Sequence, residues 1–110
     1  MTLKEDRRLV RFMNEVYEVD SFTEFLEKLK PFEKEWIEKV KTQLKENLFV
    51  GKPLKFDFFR EKRLGSNRLY YFTNVQTSKA LIVAYGSKKE QQRIIEETLL
   101  NKEEYLSHIH

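Results

Sequence analysis

The chain has 110 residues, of which 40% are apolar and 35% charged, and its formal net charge is +3. This composition predicts a single folded domain over residues 1–110 and excludes a disordered chain. Cysteine is absent, which excludes disulfide and thiol chemistry. No apolar run approaches the ~20 residues of a membrane span, and the N-terminus has no secretory pattern. We therefore expect a cytoplasmic protein without a membrane partner.

The first half of the chain predicts a strand followed by two helices. Residues 1–11 are charged and suggest a short helix or an N-terminal arm, and residues 12–19 have strand-like content. Ser21 and Glu24 match a capping box ahead of the first helix. Pro31 ends that helix and begins a second one. The second helix carries one apolar stripe, formed by Phe32, Ile37, Val40, Leu44 and Leu48.

The second half changes to a period of two residues, which indicates strands. Residues 54–58 alternate, residues 68–73 follow the turn sequence Leu-Gly-Ser-Asn, and residues 80–85 are apolar throughout. We expect three antiparallel strands, with the third placed centrally in the sheet. Ser87 and Glu90 match a second capping box. It opens a helix whose inward residues are Ile94, Ile95 and Leu99.

Together these elements predict an α+β fold of order β-α-α-β-β-β-α. A helical hairpin packs on a mainly antiparallel four-stranded sheet, and residues 105–110 form a flexible tail. If the core face of the sheet takes Leu54, Phe56, Leu69 and Tyr71, strand alternation puts Lys55, Arg68 and Tyr70 on a common outer surface.

Positive charge is concentrated between residues 51 and 93. Ten lysines and arginines stand there against three acids, a local charge of +7, whereas the other 67 residues carry −4. Aromatic residues lie among these bases, a pattern that suits phosphates and stacked nucleobases. The alternative is a sheet whose wet face merely happens to be basic. Lys88 and Lys89 favour the first interpretation, because lysine in the first turn of a helix is unfavourable by roughly 0.3–1 kcal/mol unless an anion docks there.

Several kinds of catalytic site are excluded by the residues that the chain lacks. Without cysteine, and with His108 and His110 as the only histidines, a nucleophile–histidine arrangement is implausible. The two histidines have no evident third ligand for a metal. No glycine-rich phosphate loop occurs. The sequence therefore predicts neither a metal nor a cofactor.

Two tracts, GKPLKFDFFREKRLGSNRLYYF at residues 51–72 and ALIVAYGSKKEQQRII at residues 80–95, resemble the RelE/ParE superfamily of toxins from type II toxin–antitoxin systems. The preceding strand and helical pair match that family's order, so the resemblance covers nearly the whole chain. The Lys-Lys-x-Gln turn is similar to the RelE/HigB-like branch. RelE-like members cut mRNA in the ribosomal A site, whereas ParE-like members poison DNA gyrase.

The resemblance implies a ribosome-dependent, metal-independent endoribonuclease, an mRNA interferase that inhibits translation. Arg68 corresponds to the strand arginine that stabilises the transition-state phosphate, and Lys89 to the basic residue that starts the last helix. Lys52 and Lys55 fall where members carry proton-transferring or backbone-binding lysines. Nucleic-acid contacts are expected from Arg60, Lys62, Arg63, Lys88, Arg93, Tyr70 and Tyr85. The stacking tyrosine of some members falls near Ile95 and is missing here.

Three hypotheses remain open from the sequence. The first is the RelE-like toxin, with mRNA, the ribosome and a cognate antitoxin protein as partners. The second is a non-nucleolytic binder on the same fold, either a ParE-like gyrase-directed toxin or an RNA-binding protein. The third is a basic interaction domain whose likeness is confined to the fold. Phe32, Trp36 and Phe49 are candidate antitoxin contacts, although a core role is simpler for each.

Overall fold

The computed structural model describes residues 13–110, which form one sheet with helices on both of its faces. The strands are β1 (Glu15–Glu18), β2 (Lys52–Pro53), β3 (Phe59–Leu64), β4 (Asn67–Asn74) and β5 (Lys79–Ser87). The helices are α1 (Asp20–Leu26), α2 (Pro31–Glu46), α3 (Gln91–Leu100) and α4 (Lys102–Ser107), and a 3₁₀ turn (Lys88–Glu90) precedes α3. The predicted α+β class is confirmed, with the two-residue β2 and the short α4 as additions. The expected arm at residues 1–11 lies outside the described residues.

The strands of this sheet are arranged in the order β1-β5-β4-β3-β2. β1 runs parallel to β5, and the other neighbouring strands are antiparallel. The apolar strand β5 is paired on both edges, as its sequence predicted, although β4 is the middle strand. The turn between β3 and β4 contains Gly65 with a φ of +58°, a left-handed conformation that glycine adopts without strain. This hairpin fixes the register of β3 against β4.

Side chains alternate between the two faces of the sheet, and helices cover both faces. On the α1–α2 side the buried residues include Ile37, Val40, Leu44, Leu69, Tyr71 and Ile82. On the α3–α4 side they are Phe59, Tyr70, Phe72, Leu81, Val83, Ile94 and Ile109. The expectation that Arg68 and Tyr70 share an exposed outer surface is therefore wrong. Both are buried, because the C-terminal helices fold back over their face of the sheet.

Residues 54–58 form a loop and not the predicted half-buried strand. The Leu54 backbone N–H donates to the Phe59 carbonyl at 2.8 Å, and the Phe59 N–H donates to the Phe56 carbonyl at 3.1 Å, so the segment closes on itself. Its apolar residues still face the core. Phe56 and Phe58 stack with their ring centroids 4.9 Å apart and pack against the α3–α4 side. Alternation within a tight loop thus imitated the pattern of a strand.

The two predicted capping boxes have different outcomes. The box at Ser21 and Glu24 is wrong, since α1 begins directly after Val19 and has no side-chain cap. The box at the last helical segment is confirmed, because the Ser87 backbone N–H donates to the Glu90 carboxylate at 2.9 Å. This second box fixes the turn that carries Lys88 and Lys89.

The apolar stripe of α2 faces the sheet, with one exception. Phe32, in the first turn of the helix, is 58% exposed, whereas Ile37, Val40 and Leu44 are buried, as is Leu48 just past the end of α2. In α3, Ile94 is buried while Ile95 and Leu99 are half-buried. No helix within residues 13–110, the long α2 included, has the length and apolarity needed to cross a membrane.

Residues 105–110 pack against the sheet in place of the expected flexible tail. Helix α4 continues to Ser107, and Ile109 is fully buried. The Ile109 carbonyl accepts hydrogen bonds from Asn74 Nδ2 at 3.1 Å and from Thr77 Oγ1 at 2.6 Å. These contacts tie the end of the chain to the β4–β5 turn and keep the α3–α4 layer closed over Tyr70.

Candidate nucleic-acid interface

Arg68 lies on β4 beside the buried carboxylate of Glu61 on β3. The Arg68 side chain is 5% exposed and that of Glu61 2%, and Arg68 Nε is 3.8 Å from Glu61 Oε1. This distance permits an ion pair but is too long for a hydrogen bond. Arg68 Nη1 donates to the Ser66 carbonyl at 2.8 Å, while Nε is buried with no hydrogen-bond partner among the described residues. The guanidinium is held in place but only partly satisfied.

Glu61 is surrounded by donors and cations that belong to three elements. Gln91 Nε2 at the start of α3 donates to Glu61 Oε1 at 3.0 Å, and Arg63 Nε lies 3.7 Å from Glu61 Oε2. Tyr70 is the cross-strand neighbour of Glu61, and its hydroxyl is buried without a partner in the described part of the chain. Two unsatisfied donors, Arg68 Nε and the Tyr70 hydroxyl, therefore lie near one carboxylate. Such groups are rare in folded proteins and call for a physical explanation.

Lys88 and Lys89 join this end of the sheet through the turn before α3. The Lys88 backbone N–H donates to the Ser66 carbonyl at 2.7 Å, the same oxygen that accepts from Arg68. Both lysine side chains are exposed. The turn thus places two exposed lysines next to the strand that carries the buried arginine.

Lys52 of β2 and Lys62 of β3 lie near Glu61 at the edge of the sheet. Lys52 is exposed and is the cross-strand partner of Glu61. Lys62 belongs by alternation to the opposite face, yet it lines a shallow depression together with Lys52, Glu61 and Arg63. Lys55 is exposed in the 54–58 loop, and no described contact joins it to this group. We use the name basic edge for Lys52, Arg63, Arg68, Lys88 and Lys89.

Arg60 was predicted to contact phosphate, but its side chain is buried and hydrogen-bonded within the protein. It is buried on the α1–α2 face, and its guanidinium donates to four backbone carbonyls at 3.0–3.2 Å, those of Phe49, Val50, Gly51 and Asp57. The guanidinium therefore holds together the loops on either side of β2. We therefore leave Arg60 out of the candidate interface.

Tyr85 is a core residue rather than a platform for a nucleobase. Its hydroxyl donates to Glu33 Oε2 at 2.7 Å, and its ring packs between Phe25 and Trp36, with centroids 6.2 and 6.4 Å away. Burial, together with this bond to Glu33, raises the pKa of Tyr85 to about 12. The prediction that Tyr85 contacts nucleic acid is therefore not carried forward.

The Tyr70 hydroxyl, which has no hydrogen-bond partner within residues 13–110, makes a testable contrast with that of Tyr85. We expect Tyr70→Phe to leave the free energy of unfolding at pH 7 unchanged or to raise it by about 1 kcal/mol, because a buried hydroxyl without a partner loses hydration for no bond. Tyr85→Phe should lower it by about 1–2 kcal/mol, since the bond to Glu33 is lost. Urea denaturation of both variants measures this. A clear loss of stability in Tyr70→Phe would show that the Tyr70 hydroxyl does make a stabilising hydrogen bond.

Alkaline pH should increase the difference in the free energy of unfolding between Tyr70→Phe and the unmodified protein. Burial raises the pKa of Tyr70 from 10.0 to about 12, so the folded state retains this proton when the unfolded chain has released it. The contribution of Tyr70 titration to the free energy of unfolding is therefore fully present below pH 10 and is lost as the pH rises to about 12. We expect Tyr70→Phe to lose less stability than the unmodified protein over that interval. Equal losses in the two proteins would show that Tyr70 is not buried as described.

Arg93 and the histidines add little to the interface. Arg93 is exposed on α3, where its two terminal nitrogens pair with Glu90 and Glu97, both at 3.1 Å, so its charge is already compensated. Within residues 13–110 no group of three or more histidine and acidic side chains is arranged to hold a metal ion. Besides its cations, the basic edge lies next to the Gln91 amide and the Glu61 carboxylate.

Sequence reasoning missed Glu61 and Gln91, although one signal pointed to the first. Glu61 is the only acid between Asp57 and Glu90, in a strand whose other charged residues are all bases. An isolated acid of this kind can be a solvated side chain or an internal counter-ion, and only the pairing of β3 with β4 distinguishes the two. Gln91 carried no comparable signal.

Comparison with known proteins gives a consistent answer for the fold. No protein-family model and no curated protein matches the chain. Among solved structures, the free E. coli toxin RelE, in a form carrying two arginine-to-alanine substitutions, is similar with a TM-score of 0.69 and 15% identity, over 81% of this chain and 97% of that one. At this identity the likeness establishes the fold alone, which is that of RelE.

Two further similar structures contain the toxin together with its antitoxin. The RelBE2 complex from Mycobacterium tuberculosis gives a TM-score of 0.59 and 22% identity, over 68% of this chain and 98% of that one. The intact E. coli RelBE complex gives a TM-score of 0.60 and 15% identity, over 67% and 95%. The fold expected from the sequence resemblance, helices packed on a largely antiparallel sheet, is thus confirmed.

Proposed function

We propose that this protein is a RelE-like toxin that binds mRNA on the ribosome and cleaves it without a metal or other cofactor, so inhibiting translation in the cytoplasm. The observation that supports this most strongly is the convergence of cations from β2, β3, β4 and the turn before α3 at one end of a RelE-like fold. Exposed lysines can attract a sugar–phosphate backbone. A fixed arginine can then meet one phosphate.

In the proposed reaction the 2′-OH attacks the adjacent phosphorus, and the bond to the 5′ oxygen breaks. The attacking hydroxyl must lose a proton, the leaving oxygen must gain one, and the negative charge of the phosphorane must be stabilised. Arg68 and Lys89 are the groups proposed for charge stabilisation. Lys52 and Lys55 are proposed for proton transfer or backbone binding. Lys62, Arg63 and Lys88 would hold flanking phosphates.

A second candidate function is a non-nucleolytic binder on the same fold, acting on DNA gyrase or on RNA. Two observations favour it over cleavage. Arg68 is 4% exposed and is paired with Glu61, so its positive charge is partly neutralised in the free protein. Ile95 stands where some RelE-like toxins carry the tyrosine that stacks on the nucleotide. A fold-only likeness would instead give a chain that binds neither RNA nor gyrase.

We also propose a cognate antitoxin as partner, because two of the similar structures are toxin–antitoxin complexes. Phe32 is 58% exposed and Phe49 62%, so each offers apolar surface that such a partner can cover. Trp36, the third candidate contact, is half-buried and packs on Tyr85. It is a weaker candidate than the other two.

Induced expression in a bacterial host tests the function. We expect it to arrest growth, and the Arg68→Ala/Lys89→Ala double variant to restore growth at equal protein level. Lys39→Ala/Lys45→Ala removes two exposed charges from α2 and should remain toxic. Toxicity that survives loss of Arg68 and Lys89 would reject the proposed site. Growth arrest with intact mRNA and inhibited gyrase would support the second candidate.

A further inference from the structure

We propose that Glu61 competes with the incoming phosphate for Arg68, so that it sets how tightly the basic edge binds RNA. This inference rests on the proposed RNA-directed function. It assigns to Glu61 a role that neither the sequence nor the structural likeness suggested.

The geometry of the pair supports competition rather than simple packing. Both side chains are almost completely buried, yet Arg68 Nε and Glu61 Oε1 remain 3.8 Å apart. A buried arginine–carboxylate pair that served only stability would close to about 2.7–2.9 Å and bond through two nitrogens. Within residues 13–110 Arg68 donates a hydrogen bond to the Ser66 carbonyl, while its Nε has no partner there.

The surroundings of Glu61 hold it in this position. Gln91 donates to Oε1 at 3.0 Å, and Arg63, itself 57% exposed, lies 3.7 Å from Oε2. Arg63 can follow the carboxylate or turn to solvent, whereas Arg68 is fixed by Ser66. A phosphate oxygen that reaches Arg68 therefore faces the like charge of Glu61, and binding must overcome it.

The test is RNA binding by Glu61→Gln, which keeps an acceptor for Gln91 but removes the charge. The probe is a fluorescent single-stranded 2′-O-methyl oligonucleotide, which 2′-OH attack cannot cleave. A charge within ~4–6 Å typically shifts a pKa by one unit or more, and one unit is a factor of ten in an equilibrium constant. We therefore expect Glu61→Gln to bind RNA about tenfold more tightly. The slope of log K against log salt should steepen by about 0.7, the value for one more phosphate contact on a single strand.

Three matched variants isolate the pair. Glu96→Gln removes the same charge from an exposed site on α3 whose described partner is Gln92, and it should change affinity little. In an Arg68→Gln background, adding Glu61→Gln should no longer tighten binding. Glu61→Asp keeps the charge but withdraws the carboxylate from Arg68, so an intermediate gain is expected. It serves as the test if Glu61→Gln does not fold, as judged by circular dichroism.

The possible outcomes distinguish failure of this inference from failure of the proposed RNA-directed function. If the unmodified protein binds RNA and Glu61→Gln binds no more tightly, or if its gain persists without Arg68, the competition is refuted and the RNA-directed function stands. If neither the unmodified protein nor any variant binds RNA with salt dependence, both proposals fail.

Discussion

Replacing Arg68 with glutamine is expected to slow cleavage of ribosome-bound mRNA by about 10²–10³-fold, the usual cost of removing one donor that stabilises a developing anion. Glutamine retains a hydrogen-bond donor but has no positive charge to offer the phosphorane. A single-turnover cleavage assay with saturating protein measures this rate separately from binding. A rate within a few fold of the unmodified protein would remove Arg68 from the reaction.

Stability must be controlled in this experiment, because Arg68→Gln also leaves Glu61 buried with less compensation. Breaking a buried ion pair from one side typically costs about 3–5 kcal/mol. The Glu61→Gln/Arg68→Gln double variant removes both charges, so it should recover much of that stability while its cleavage stays slow. Recovery of cleavage along with stability would mean that the single substitution acted through folding alone.

A large effect on stability is also expected at Arg60. Arg60→Met keeps an apolar side chain of similar length but leaves the carbonyls of Phe49, Val50, Gly51 and Asp57 without their shared donor. Hydrogen bonds to a charged group contribute roughly 1.5–3 kcal/mol each, and water can replace some of them, so we expect a loss of about 3–5 kcal/mol. Urea denaturation followed by circular dichroism measures it.

Arg63 provides the matched control for Arg60. It lies on the same strand, is 57% exposed and contacts Glu61 through a single 3.7 Å ion pair. Because the Arg63 guanidinium is largely solvated and this contact is longer than a hydrogen bond, Arg63→Met should change the free energy of unfolding by less than about 1 kcal/mol. Similar losses in Arg60→Met and Arg63→Met would contradict the stabilising role assigned to the four hydrogen bonds of Arg60.

Much of the fold could be predicted from the sequence, because local patterns there agree with tertiary structure. The continuous apolar run of residues 80–85 indicated a strand buried on both faces, and β5 has a neighbouring strand on each side. Ser87 and Glu90 marked the start of the last helical segment correctly. The strand predicted at residues 54–58 failed because aromatic side chains can alternate inward from a loop as well as from a strand.

The candidate site was less predictable, since it depends on which face each strand buries. Sequence reasoning left one sheet face open, and that would expose Arg68 and Tyr70. α3 and α4 cover this face through long-range contacts, such as those of Ile109 with Asn74 and Thr77, which no local pattern specifies. The same uncertainty hid the roles of Arg60 and Glu61, whose partners are brought close only by the register of β2, β3 and β4.

The most direct measurement is to incubate the purified protein with ribosomes carrying a defined mRNA and to map the new RNA ends by primer extension. If the basic edge acts on a phosphate as proposed, discrete cuts will appear in ribosome-bound mRNA, will persist in EDTA, and will be lost in the Arg68→Gln variant. Intact mRNA at every protein concentration, or cuts that Arg68→Gln makes equally well, would contradict the account.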